Sequence, residues 1–102
     1  MSAYVVIFRE SEVRSPDSYA EYQRVSRENP GPVQPKPLVV YGAMEALEGD
    51  APAGVIVLEF ADMDAAKTWY NSPGYQKALP HRLKAADFRA VIVDGWTTPP
   101  KA

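Results

Sequence analysis

The chain has 102 residues, 46% hydrophobic and 24% charged, with a formal net charge of −2. These values describe an ordinary globular domain; they exclude a disordered chain, and no basic block points to nucleic acid or an anionic membrane. The absence of cysteine excludes disulfides, thiolate metal sites, iron–sulfur clusters and cysteine nucleophiles.

The N-terminal residues MSAYVVIFRE carry only a short apolar run before Arg9 and no basic leader. That run is too short for a signal-peptide core with its flanks or for a membrane span, so a soluble cytoplasmic protein is expected. Ala3 to Arg9 is rich in β-branched and aromatic side chains and predicts a first strand, with Tyr4, Val6 and Phe8 on one face and Val5 and Ile7 on the other. Ser15-Pro16 is a helix start, a capping hydroxyl ahead of a proline at the first helical position. Tyr19, Tyr22 and Val25 form the apolar stripe of this helix, which should stop near Asn29 because Pro30 disfavours helical geometry in the residue before it. Residues 29 to 37, NPGPVQPKP, read as an extended surface loop.

Leu38 to Met44 predicts a second strand, bent at Gly42, and Glu48-Gly49-Asp50 a turn. Gly54 to Phe60 predicts a third strand that is apolar on both faces, antiparallel to the second. Asp62 caps a helix from about Met63 to Asn71, with Met63, Ala66, Trp69 and Tyr70 at helical spacing. Ser72-Pro73 repeats the capping signal, and Pro80 is expected to kink or break the segment that follows. Phe88 to Val93 predicts the last strand, closed by Asp94-Gly95.

The order strand, helix, strand, strand, helix, strand is the α+β, ferredoxin-like β-α-β-β-α-β arrangement, an antiparallel sheet with helices on one face. Residues 1–95 form the expected domain and 96–102 an extended C-terminal tail. A sheet with one wet face should alternate apolar and polar, yet Val55 and Val57 oppose Ile56, Leu58 and Phe60, and Val91 and Val93 oppose Ala90 and Ile92. Such a face needs a cover, and a second copy packed sheet to sheet, a homodimer, is the economical one.

In this order of elements the chain resembles domain-of-unknown-function family 1330, of the dimeric α/β-barrel superfamily. The resemblance rests on Ala3 to Ile7 (AYVVI), Tyr19 and Tyr22, Leu47 to Gly49 (LEG), and Leu58 to Phe60 (LEF). It extends through the segment A-x-x-W-Y-x-S-P-x-Y from Ala66 to Tyr75, then Arg82, Ala86 and Gly95. It implies a fold and a dimer rather than a reaction. The wider superfamily includes cofactor-free monooxygenases, haem-degrading enzymes, muconolactone-isomerase-like enzymes and proteins without known activity. Family members often carry a histidine where this chain has Asn29-Pro30-Gly31-Pro32.

Glu59 is the one charged residue in an otherwise apolar strand. It is either a partly desolvated acid–base group facing a cavity, or a carboxylate bound to a neighbouring Arg or Tyr that fixes packing. His81, the single histidine, could shuttle a proton, or lie on the surface without a partner. Arg82 could clamp a ligand carboxylate, or pair with Glu59 or Asp87. Trp69, Tyr70 and Tyr75 are candidates for a ligand wall, against the alternative of plain helix packing, and Tyr41 on the second strand is another candidate for the cavity side. With no metal cluster, phosphate loop, nucleophile elbow or dinucleotide fingerprint in the sequence, no cofactor or metal is expected. The functional expectation is a small, partly apolar organic ligand, with cofactor-independent acid–base chemistry of isomerase or monooxygenase type carried by Glu59 with His81 or Arg82. The alternative is a non-catalytic ligand-binding or protein-interaction module.

Overall fold

A computed structural model describes residues 2–96, so the expected tail beyond Trp96 lies outside the described residues. The elements are β1 (Ala3–Arg9), α1 (Pro16–Glu28), β2 (Lys36–Val40), β3 (Gly54–Phe60), α2 (Met63–Asn71), α3 (Pro73–Ala85) and β4 (Phe88–Asp94). They form a four-stranded antiparallel sheet in the order β2-β3-β1-β4. The fold is ferredoxin-like, with the second helix of the pattern split into α2 and α3.

Register fixes which side chains share a face. Val5 lies opposite Leu58 and Ile92, and Val6 opposite Val57 and Val91. Val5, Ile7, Leu58 and Phe60 meet Ala66, Trp69, Tyr75 and Leu79 in the core between sheet and helices. Burying each large side chain there contributes about 1.5–3 kcal/mol. On the opposite face lie Tyr4, Val6, Phe8, Val39, Val55, Val57, Glu59, Val91 and Val93, and no element among the described residues covers them. Val91 and Val93 are about half exposed, at 52% and 47%.

Caps follow local chemistry. The Ser15 hydroxyl accepts from the Ser18 N–H at 3.3 Å, and Asp62 Oδ1 accepts from the Ala65 N–H at 2.7 Å. Ser72 departs from expectation: its hydroxyl donates to the Trp69 carbonyl at 2.7 Å, so it closes α2 instead of capping α3.

Two further expectations are corrected. The second strand runs Lys36–Val40, not Leu38 to Met44, with a register irregularity between Pro37 and Val39. As β2 is an edge strand, Pro37 can lack a ladder donor without loss. The chain leaves the strand at Tyr41, in the left-handed region at φ 53°, rather than bending at Gly42. The Tyr41 ring lies on the bare Gly54 backbone, in space that a Cβ at 54 would fill.

Pro80 does not break α3, which runs unbroken from Pro73 to Ala85. An interior proline costs a helix about 3 kcal/mol, partly through the carbonyl four residues earlier. Here that carbonyl belongs to exposed Gln76, where water can serve it, and the buried stripe Tyr75, Ala78, Leu79, Arg82 and Ala85 outweighs the loss.

The start of α3 packs closely on the end of α1. A Cβ on Gly74 would stand 2.5 Å from the Asn29 carbonyl oxygen and 2.7 Å from its Cβ. Gly74→Ala should therefore destabilise the fold by about 1–3 kcal/mol, the usual cost of overpacking. Urea unfolding measures it; an unchanged midpoint would show that the two helix ends can separate freely.

Candidate functional site

The Pro-rich connection from α1 to β2 does not close onto the sheet. A cleft of about 520 Å³ remains between the end of α1, this loop, strands β2 and β3, and the aromatic residues of α2 and α3. Its walls are mostly apolar: Ile7, Val33, Val40, Ile56, Leu58 and Trp69. Polar groups enter from Tyr22, Ser26, Asn29, Gln34, Ser72 and Tyr75. A concave apolar surface with few polar groups is the ordinary form of a small-molecule site.

At one end of this cleft is a linked set of aromatic rings. The Trp69 and Tyr75 centroids are 4.2 Å apart, and the Trp69 and Phe60 centroids 5.3 Å. The Tyr75 hydroxyl is 3.1 Å from that of Tyr22. Tyr22 neighbours Tyr19 on the same helical stripe, and Tyr19 is hydroxyl-bonded to Tyr41. Burial raises the pKa of Tyr19, Tyr22 and Tyr75 above the ordinary phenol value; the bond to Tyr41 adds to the effect at Tyr19, and proximity to Tyr75 adds to it at Tyr22.

Arg82 lies beside this set. It projects inward from α3, only 4% exposed, with its Cζ 4.9 Å from the Phe88 ring centroid and 6.0 Å from that of Tyr22. Its positive charge opposes the upward shift at both Tyr22 and Tyr75. Neither carboxylate considered as its partner reaches it. Asp87 binds Arg14 at 2.9 Å, and Glu59 is on the other side of the sheet. Nε and Nη1 of Arg82 are buried with no hydrogen-bond partner among the described residues.

The remaining candidates are dispersed. Glu59 accepts from the Tyr4 hydroxyl at 3.5 Å and lies 3.8 Å from Lys36 Nζ on the uncovered sheet face, so it does not converge with Arg82 or His81. His81 is half-buried on α3 and does not line the cleft. Tyr41 holds the Arg9 guanidinium over its ring at 5.2 Å, and neither residue lines the cleft. Tyr70 borders a smaller pocket against Ala90, Val91 and Ile92 of β4. Trp69 and Tyr75 are the candidates that line the cleft itself. Tyr22 also lines it, although the sequence marks that residue only as part of a helical stripe; its three-residue spacing from Tyr19 was the available signal. Among the described residues no three His, Asp or Glu side chains gather as metal ligands, and no helix is long and apolar enough to cross a membrane.

The model of the domain of unknown function DUF1330 matches residues 2–96. The chain belongs to that family. No curated protein matches it. Among solved structures, this DUF1330 chain is similar to a protein of unknown function from Rhodopseudomonas palustris, at 19% identity and a TM-score of 0.63 over 95% of this chain and 84% of the other. A dimeric ferredoxin-like protein of unknown function from Thermobifida fusca matches at 18% identity and a TM-score of 0.54, over 91% and 89% of the two chains. SnoaB, a cofactor-independent oxygenase from Streptomyces nogalater, matches at 16% identity and a TM-score of 0.52, over 98% and 97%. At these identities the likeness establishes the fold.

The raised tyrosines give the DUF1330 fold a defined alkaline limit. Above the ordinary phenol value of 10.0 the unfolded chain loses protons that folded Tyr19, Tyr22 and Tyr75 retain. The folded state then binds more protons, so stability is full below that pH and falls as pH rises past it. Denaturant midpoints measured from about pH 9 to 11 should decline, and Tyr22→Phe should flatten the decline. A pH-independent midpoint would contradict the burial of these phenols.

Proposed function

We propose that this DUF1330 protein is a homodimer whose protomers each bind a small, partly apolar organic molecule in the cleft between helices and sheet. The observation that carries the binding part is the cleft: about 520 Å³, apolar along most of its wall, with the Tyr22 and Tyr75 hydroxyls at one end. An interaction module would have its interior filled by its own aromatic side chains. Here Trp69, Tyr22 and Tyr75 form walls around space.

The dimer part rests on the uncovered sheet face. Large contiguous apolar patches are rare on soluble monomers, and a two-fold copy offers a self-complementary cover. The ferredoxin-like relative from Thermobifida fusca is itself described as dimeric. On this reading Glu59, with Tyr4 and Lys36, belongs to the interface between copies.

The enzymatic form of the reading is cofactor-independent chemistry on the bound molecule, which the likeness to SnoaB favours. The groups near the cleft that could take part are then Tyr22, Tyr75 and Arg82. Glu59 lies on the other face, and His81 lines no wall of the cleft. A carboxylate base is thus not a feature of the proposed site.

Each part has its own test. Val91→Glu changes a half-exposed side chain on the uncovered face, so each protomer should still fold while light scattering reports a monomer instead of a dimer. A wild-type monomer at micromolar concentration would end the dimer proposal. For the cleft, a thermal-shift panel of small aromatic and alicyclic compounds should contain binders. A ligand at a hundredfold excess over Kd stabilises by about 2.7 kcal/mol, a shift of several degrees in Tm. Val40→Trp, at an exposed position on the cleft wall, should fill the space and erase those shifts while leaving the unliganded Tm within a few degrees. Shifts that survive Val40→Trp would place binding elsewhere.

A further inference from the structure

Arg82 is a charge that the fold does not explain. Burying a charge without a partner is strongly unfavourable, and each buried N–H left unpaired adds to that cost. A buried lysine can shed its proton to escape that cost; a guanidinium does not. The Phe88 and Tyr22 rings return part of the loss, because a cation is attracted to an aromatic face. They leave Nε and Nη1 without acceptors. An apolar side chain of similar length would complete the α3 stripe at lower cost, as the neighbouring Ala78, Leu79 and Ala85 do.

The tyrosine pair in front of it is unbalanced in the same sense. Two phenols that share one hydrogen bond use one of their two O–H donors between them. The other has no acceptor among the described residues, since the bond between Tyr22 and Tyr75 is the only one either hydroxyl makes there. Both hydroxyls belong to residues that line the cleft. One end of an apolar cleft therefore presents a spare phenol donor, with the fixed positive charge of Arg82 packed behind the Tyr22 ring rather than in the cleft wall, and no carboxylate among the described residues lines the cleft.

We infer that the molecule bound in this cleft is an organic oxyanion, a carboxylate or an enolate on an apolar ring or chain. Its charged oxygen is received by the Tyr22 and Tyr75 hydroxyls with the Arg82 guanidinium behind them. The inference rests on the cleft being a binding site and adds the charge and orientation of its occupant. The apolar body lies along Ile56, Leu58 and Trp69, and the anion points toward the α1–α3 contact. An acceptor-only group matches this end, because a carboxylate or enolate oxygen offers lone pairs and needs no acceptor in return. A neutral amide would bring donors of its own into a place that already has too many.

The test uses the whole protein and matched pairs of probes: benzoate against benzamide, cinnamate against cinnamamide, and 1-naphthoate against its amide, with affinities read by calorimetry. Wild-type protein should prefer the acids by about tenfold or more, the ratio that corresponds to one charge-assisted hydrogen bond of about 1.5–3 kcal/mol. Arg82→Met should remove the preference while leaving amide affinity within about twofold, and Arg82→Lys should restore part of it. Arg82→Met should also melt no lower than wild type, whereas an arginine with a purely structural role would be missed. Equal binding of acids and amides by the wild type overturns the oxyanion inference and leaves the cleft standing, and does so even if the variants fail to fold. An acid preference that survives in a folded Arg82→Met overturns the assignment to Arg82. Binding of neither class, in a cleft that no other compound of the panel enters, removes the binding reading and this inference with it.

Discussion

The constraint on which this molecule depends is the pleat of β1 and β3, because both of their faces are apolar. A strand sends successive side chains to opposite sides, so Val5 and Ile7 go to the helices while Val6 and Phe8 go the other way. The same division runs through β3, where Ile56, Leu58 and Phe60 oppose Val55, Val57 and Glu59. A one-residue slip in register would exchange the two sets. The sheet thus separates two environments, a helix-covered core that contains the cleft and an apolar face that needs a second cover.

This separation sorts the chemistry. Glu59 and Arg82 look like natural partners in the sequence, an acid in a strand and a base in a helix, both in apolar surroundings. The pleat puts them on opposite sides, and each then has a different fate. Glu59 keeps partial access to solvent and engages Tyr4 and Lys36, so its charge is tolerated at low cost. Arg82 turns toward Phe88 and Tyr22 and loses solvent without gaining a counter-charge. The same residue types therefore give a surface ion pair on one face and an uncompensated charge on the other.

How much of this was legible follows from which physics is local. The bounds of β1, β3 and α2 could be read from apolar period and capping side chains, because those signals lie within a few residues of the elements they define. The edge position of β2 could not, and so Pro37 looked like a loop residue when it is a strand residue with a free outer side. Pro80 reads as a helix break for a related reason: its cost is local, but the burial that outweighs it comes from a stripe packed on α1 and the sheet. The tail beyond Trp96 remains an expectation of the sequence alone. At the site, Trp69 and Tyr75 could be found from their helical spacing. The pairing of Tyr22 with Tyr75 joins residues 53 positions apart, and no window of sequence contains it.

The Pro-rich loop connects these observations. Four prolines between Asn29 and Pro37 limit the backbone of this segment and remove donors with which it could pair. A chain of that kind cannot easily collapse onto β2 and β3 to fill the space beneath it. Asn29 is tied to the Val25 carbonyl at 2.8 Å and held against Gly74, so the near end of the loop is fixed to both helices. Pro37 enters the edge strand and fixes the far end. With both ends anchored and the middle stiff, the cleft persists as a property of the loop, and the aromatic residues beneath it form a wall instead of closing into a solid core. The polar groups that reach the cleft are those of Tyr22, Ser26 and Asn29 at the end of α1, Gln34 of the loop, and Ser72 and Tyr75 at the start of α3, with Arg82 packed behind Tyr22.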